Sequence, residues 1–470
     1  MADQQTDQQP LYEARRSIFP RSVKGRFRNI KWAILAFAYG VYFLLPWMRW
    51  ERAAAPDQAV LFDLVGRKFY LFGLTVYPQD IFWLAGFLML AAYLLFFVTG
   101  IAGRVFCGYF CFQTLWTDVF VLVERLVQGE RPARIRLAKQ PMNGEKILKL
   151  GLTHLLWLLV AFATGLSFVL YWGNAPDLIV DYFTGKAPFA AYGTTLFLTA
   201  TTYVMAGHAR EQVCTYMCPY SRFQSVMFDK DTLVVSYDSK RGEGSAGRAK
   251  LGKGLKSREE RQAAGVGDCI DCGYCVQVCP TGIDIRDGLQ MECIGCAACI
   301  DACDSIMDRM GYPRGLVRYT TENALHHKKS RLLRPRVLIY ASLLVVLVAI
   351  LVTSLATRTP LILDVIRDRN TLYREVGSDT IENIYTLKIV NQSQEAREFQ
   401  LDVAGADSIS LDGVPEPLVV EGGDVMSLPV RTRVPRDASY GIMDIEFTLT
   451  AADDPSVTVT EDSRFLGPSP

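Results

Sequence analysis

Apolar residues gather into five runs at about 31–50, 80–99, 147–172, 189–207 and 336–357. Each is close to the roughly 20 residues that a bilayer demands of a helix, so five membrane-spanning helices are predicted. The first run has no small-residue cleavage site and is followed by further runs, which excludes a signal peptide. The stretch 105–127 is rich in Phe and Val but carries Asp118 and Glu124, which predicts an amphipathic helix lying in the interface. Val60 to Pro78 alternates around Gly66 and Gly73 and predicts a hairpin. Beyond Arg358 the period changes to two in Ile384–Val390, Phe399–Val403 and Ile445–Leu449, with Asn, Gly, Asp and Pro between. That pattern predicts an antiparallel immunoglobulin-like sandwich of about six visible strands.

The 50 basic and 49 acidic residues nearly cancel overall but are segregated along the chain. Arg15, Arg16, Arg21, Lys24, Arg26 and Arg28 precede the first run, and Arg104, Arg125, Arg131, Arg134, Arg136, Lys139 and Lys146 fill the loop at 101–146. The loops at 51–79 and 173–188 are poor in Lys and Arg, so the bias of basic residues places the former pair inside and the latter outside. The expected organisation is a cytoplasmic tail (1–30), a four-span domain (31–207), a cytoplasmic insert (208–335), a fifth span (336–357) and an exported domain (358–470). That last segment has 20 acidic and 10 basic residues and no cysteine, a composition that suits solubility. Ser239 to Gln262 is rich in Gly, Lys and Arg and almost free of apolar residues, which reads as a solvated linker. It has no interleaved aromatics, so nucleic acid is not an expected partner.

Within the insert, Cys269-x2-Cys272-x2-Cys275-x3-Cys279-Pro280 is repeated as Cys293-x2-Cys296-x2-Cys299-x3-Cys303. This is the bacterial double-cluster ferredoxin pattern, in which the fourth cysteine of each run ligates the other cluster. The expected cofactors are two [4Fe–4S] clusters, one on Cys269, Cys272, Cys275 and Cys303, the other on Cys293, Cys296, Cys299 and Cys279. Zinc knuckles also use C-x2-C, but not as tripled runs closed by C-x3-C. In a reducing compartment such thiols read as metal ligands and not as disulfides. The fold class is therefore a helical membrane bundle with an inserted α+β ferredoxin domain and a C-terminal all-β sandwich.

Four cysteines remain in two matched pairs, Cys107-Gly-Tyr-Phe-Cys111 after the second run and Cys214-Thr-Tyr-Met-Cys218-Pro219 after the fourth. An i, i+4 spacing puts both thiols of a pair on one helical face. Soft thiolates select Cu(I), zinc or iron–sulfur centres, so the pairs are read as a copper site, a third cluster or zinc site, or a dithiol–disulfide couple. His208, Met205, Met217 and His154 lie where they would supplement the sulfurs, although methionine is more often a core filler.

The order of basic tail, four spans with C-x3-C after the second and fourth, ferredoxin insert with the run Cys293-Ile-Gly-Cys-Ala-Ala-Cys-Ile-Asp-Ala-Cys303, fifth span and sandwich resembles the FixG/CcoG/RdxA family. The resemblance implies a protein of the bacterial cytoplasmic membrane with a periplasmic sandwich. It also implies an accessory role in assembly of the cbb-type haem–copper oxidase, as a cupric reductase acting at Cys107, Cys111, Cys214 and Cys218. The partners implied are the lipid bilayer, a cytoplasmic electron donor, and a copper transporter, copper chaperone or oxidase subunits, with a homodimer as one option for the oligomeric state. A quinol-linked electron-transfer subunit and a redox-sensing assembly scaffold are the alternative readings. The family pattern has proline after each pair, which holds for Pro219 but not for Phe112, so the first pair's helix is expected to continue where the second ends.

Overall fold

The computed structural model describes residues 17–52, 56–252, 254–369, 371–393, 395–406 and 408–469; Arg15 and Arg16 of the basic tail and Lys253 of the linker lie outside them. The chain divides into two compact units, one containing the residues up to Leu44, Ala85–Val169 and Asp181–Val348, the other Leu45–Leu84, Leu170–Val180 and the residues from Ala349 onward.

In chain order the membrane segments are α1 (Arg26–Leu44), α2 (Ile81–Ala102), α3 (Val105–Tyr109), α4 (Phe112–Gln128), α5 (Arg131–Lys139), α6 (Gly144–Val169), α7 (Ala175–Thr184) and α8 (Phe189–Thr202), with α9 (Pro219–Met227) after a π-helical stretch. Among the described residues five helices are long and apolar enough to cross a membrane: Arg26–Trp47, Ile81–Ala102, Val105–Gln128, Gly144–Trp172 and Pro335–Ala356. The number agrees with the sequence expectation, but the set differs. The segment expected to lie in the interface joins the five, and the expected span at 189–207 does not. Thr194, Thr195, Thr199, Thr201 and Thr202 dilute the apolar content of α8. The helix nevertheless runs beside α6, so closely at Gly165 that a Cβ there would lie 2.7 Å from the Thr195 carbonyl oxygen. Small residues at such crossings let backbones approach in the absence of a hydrophobic drive between helices. Val105–Gln128 is interrupted at Cys111 and buries polar groups, Asp118 and Glu124 among them. Trp116 Nε1 donates to Thr164 Oγ1 at 2.9 Å and Trp157 Nε1 to the Phe120 carbonyl at 3.0 Å, which fixes α4 against α6.

The same unit carries the cysteine-rich insert. Two antiparallel strands, β4 (Val234–Tyr237) and β5 (Val317–Thr320), pair from Val234↔Thr320 to Tyr237↔Val317. Around them lie α10 (Ser239–Glu243), α11 (Arg258–Ala263), α12 (Tyr274–Gln277), α13 (Ala298–Met310) and α14 (Glu322–Leu325). The expectation of a solvated linker at 239–262 is corrected here. Arg261, 1% exposed, donates to the carbonyls of Ala249, Gly267 and Cys269, while Arg241 and Arg258 both bond Asp268, so long-range ion pairs order a segment that has little apolar surface of its own. The helix α15 (Pro335–Ala356) leads out of this unit.

In the other unit, β1 (Val60–Asp63), β2 (Lys68–Leu71) and β3 (Leu74–Val76) extend the expected hairpin to a three-stranded antiparallel sheet. The sandwich has nine strands among the described residues, not about six: β6 (Leu361–Arg367), β7 (Arg374–Val376), β8 (Thr380–Asn391), β9 (Arg397–Ala404), β10 (Ser410–Asp412), β11 (Leu418–Val420), β12 (Val425–Pro435), β13 (Ile442–Ala451) and β14 (Thr458–Leu466). One sheet runs β10-β12-β8-β6 with β7 also on β8, and the other runs β11-β9-β13-β14. Alternate positions of the long strands, such as Tyr385, Leu387 and Ile389 on β8 and Phe447 and Leu449 on β13, are fully buried between the sheets. The three strands missing from the pattern, β7, β10 and β11, are three residues each, too short to show a period of two.

Candidate metal centres

The two cysteine runs fold by one repeated backbone device. Asp271 and Gly273 flank Cys272 with positive φ (48° and 63°), and Gly295 and Ala297 flank Cys296 in the same way (67° and 59°). Left-handed residues between extended ones turn successive N–H groups toward one side, which favours an anion. Gly273 and Ala297 then start α12 and α13, which carry Cys275 and the pair Cys299 and Cys303.

The result is two cavities. Cys269, Cys272, Cys275 and Cys303 line one, together with Tyr237, Leu316 and Val317. Cys279, Cys293, Cys296 and Cys299 line the other, with Val235, Ile285 and Ile294; Cys275 also reaches its wall. Backbone N–H groups address the sulfurs: Gly295 toward Cys293, Ala298 toward Cys296 and Val317 toward Cys303. Burial pushes the thiols of Cys275, Cys293 and Cys303 up to about 12, so deprotonation there depends on a bound cation. Only Cys272 of the eight is exposed. Four sulfurs, directed N–H groups and apolar walls fit a [4Fe–4S] cluster in each cavity.

The C-x3-C pairs are built differently from the sequence expectation and more alike. Neither pair rides one continuous helix. Cys107 sits in α3, whereas Cys111 is extended (ψ 124°) and begins α4. Cys214 sits in the π-helical turn Val213–Met217, whereas Cys218 is extended (ψ 111°) and begins α9. In each pair the N–H of the second cysteine bonds the carbonyl five residues back, Cys111 to Phe106 at 3.0 Å and Cys218 to Val213 at 2.8 Å. The break at Cys111 needs no proline, so Phe112 does not separate the two geometries. Such i→i−5 turns cluster at functional sites.

Cys107 lies within electrostatic range of Cys111, Cys214 and Cys218, and Cys214 of Cys111 and Cys218. Cys107 Sγ donates to Gln224 Oε1 at 3.3 Å. Among the described residues, however, no three His, Cys, Asp or Glu side chains close on one point as ligands of a single ion. His208 stacks on His154 with ring centres 5.8 Å apart and also meets Trp157 and Tyr203, while His154 Nδ1 and Tyr203 Oη share a hydrogen bond of 2.9 Å. The Met205 carbonyl accepts from Gln113, and Met217 is exposed.

The first pair abuts the second cavity. A Cβ on Gly108 would lie 2.9 Å from the Gly295 oxygen and 3.0 Å from the Cys296 backbone. Tyr109 Oη donates to the Cys296 carbonyl at 3.3 Å, and Arg104 donates to the carbonyls of Met291, Cys293 and Ser221. Sequence reasoning missed Gly108, Arg104 and Gln224, whose significance depends on contacts more than a hundred residues away.

Apolar helices of spanning length and a doubled four-cysteine cradle define a membrane-bound iron–sulfur protein. A 4Fe–4S dicluster domain model matches residues 209–322, and a model of the immunoglobulin-like fold at the C-terminus of FixG matches residues 351–468. The chain is 44% identical to protein RdxB of Cereibacter sphaeroides over 89% of each chain. It is 40% identical to nitrogen fixation protein FixG of Rhizobium meliloti over 94% of this chain and 91% of that one. It belongs to the FixG/RdxA family. The crystal structure of a FixG-related protein from Vibrio parahaemolyticus is 38% identical and covers 23% of this chain and 96% of that chain, with a TM-score of 0.21.

Proposed function

We propose that this protein is a cupric reductase that supplies Cu(I) for the copper centre of a cbb-type haem–copper oxidase, with Cys107, Cys111, Cys214 and Cys218 as the site where Cu(II) gains one electron. The observation that carries the reading is the matched pair of i→i−5 turns that bring four thiols into one neighbourhood. Thiolates favour the product, because Cu(I) is the softer ion. Two [4Fe–4S] clusters, on Cys269, Cys272, Cys275 and Cys303 and on Cys279, Cys293, Cys296 and Cys299, supply one-electron chemistry when bound. The chain's own residues hold the geometry: Gly108 admits α3 against the Cys296 loop, Tyr109 and Arg104 tie it there, and Gln224 orients Cys107.

The basic residues flanking the spans support an insert facing the cytoplasm, where a soluble donor delivers electrons, and a sandwich facing the periplasm. A copper transporter or chaperone, or the oxidase itself, takes the product. The test is anaerobic reduction of Cu(II) by the purified, dithionite-reduced protein, followed with a Cu(I)-specific chelator. Stoichiometric Cu(I) release in wild type and its loss when Cys214 and Cys218 are both replaced by serine is the expected result. Full iron content without copper reduction, or an undiminished rate in the double variant, overturns the proposal.

A further inference from the structure

A cleft opens at the Arg26 end of α1, between the segment around Arg21, the polar face of α4, Arg210 and the Cys296 loop. Arg21, Arg28, Lys31, Arg125 and Arg210 line it, against the carboxylates of Asp118 and Glu211. The ion pairs on its walls leave charge over. Arg28 and Lys31 both reach Asp118 at 2.9 Å, and Arg210 shares Glu124, which lies outside the lining, with Arg134, at 2.5 and 2.9 Å, so two cations share one carboxylate twice. Of the residues lining the cleft, five are cations and two are carboxylates. Lys31 is 3% exposed, so part of this excess is withheld from water. Arg28 Nη2 and Arg125 Nε are buried without a hydrogen-bond partner. A buried positive charge in excess is costly unless an anion meets it, and arginine forks match phosphate oxygens.

We propose that this cleft binds the phosphate group of an anionic ligand, with Arg28 and Arg125 donating to its oxygens. Two sources share that chemistry, an anionic phospholipid headgroup at the end of a membrane helix and a soluble phosphate compound. The second cavity is close by, since Cys296 and Pro280 also border the cleft. Charge on a cluster there would be the competing counterion.

The full chain, with its iron intact, is reconstituted in nanodiscs of phosphatidylcholine alone or with phosphatidylglycerol. It is also titrated in detergent with inorganic phosphate, with phosphorus NMR and native mass spectrometry as readouts. Retention of phosphatidylglycerol that phosphate does not displace identifies the lipid; saturable phosphate binding without lipid retention identifies a soluble ligand. Either supports the site. Arg125→Gln is expected to weaken that binding roughly fivefold to tenfold with iron content unchanged, and Arg21→Gln, at the rim over Tyr274, to weaken it less. Absence of both kinds of binding in the wild type overturns the proposal, as does unaltered affinity in Arg125→Gln.

Discussion

Eight of the twelve cysteines surround two apolar-walled cavities, whereas the other four stand at breaks between short helical turns and longer helices. In the cradles left-handed residues flank Cys272 and Cys296, directed N–H groups meet Cys293, Cys296 and Cys303, and a helix follows each turn at once. At the pairs each second cysteine is extended and its N–H closes an i→i−5 turn. A cradle of the first kind suits a resident cluster. A junction with one soft sulfur on each side of a bend suits an ion that arrives and leaves, because small rotations at the bend change the sulfur positions without unpacking a core.

Replacing a cradle ligand tests the comparison most severely. Intact protein is expected to hold about eight irons, and Cys299→Ser to lose roughly half of them, because Cys299 is one of the four sulfurs lining the second cavity. Retention of all iron in Cys299→Ser places the ligand elsewhere and dissolves the contrast.

The second test works from the other side. Cys107→Ser with Cys111→Ser is expected to leave iron at the wild-type level while copper binding falls by about two orders of magnitude, since serine keeps the volume and discards the soft ligand. Iron loss in that variant makes the pairs a third cluster site. Gly108→Val sharpens the comparison further. Its side chain collides with the Cys296 backbone, so α3 must shift, and cupric reduction is expected to slow by roughly tenfold, the cost of about 1.4 kcal/mol in the barrier. Iron content and copper affinity should stay within error; a fall in either shows that the contact holds the fold and not only the spacing.

What was legible in the sequence follows the same division. The cradles depend on two cysteine runs of about ten residues each and on left-handed Asp271, Gly273, Gly295 and Ala297; the runs let the cysteines be grouped from the sequence, and both groups line the cavities. The pairs depend on backbone breaks that composition does not announce: Phe112 starts a helix as Pro219 does, and the expected shared helical face gave way to a bend. The strap from Ser239 to Gln262 was read as solvated because its order comes from ion pairs, such as those of Arg241 and Arg258 to Asp268, not from apolar surface. The polar half of α4 was visible in Asp118 and Glu124, but their partners Arg28, Lys31, Arg134 and Arg210 come from three other segments. Likewise the four histidines show no pair within one span, yet folding stacks His154 on His208.

Acidity separates the two regions by a smaller effect. Burial pushes the Cys214 thiol up to about 11, so it is protonated at neutral pH and must release a proton to bind copper. Copper affinity is therefore expected to rise with pH through the neutral range. The strap over the first cradle behaves oppositely. Burial alone would raise the Asp268 carboxyl, but the bonds from Arg258 and Arg241 outweigh it and hold the group below the usual carboxylate range. A folded value below the unfolded one, about 3.9, means that this stabilisation is complete above about pH 4 and is lost as pH falls through the folded value. Between pH 5 and 8 the cradle should keep its iron while the pairs exchange copper. Asp268→Asn removes the charge at every pH and is expected to lower stability by about 1–3 kcal/mol, read as earlier loss of cluster absorbance in denaturant, with its largest difference from wild type above pH 5. If wild type instead loses iron between pH 5 and 7, the strap does not govern the cradle, and the two regions share one acid-sensitive step.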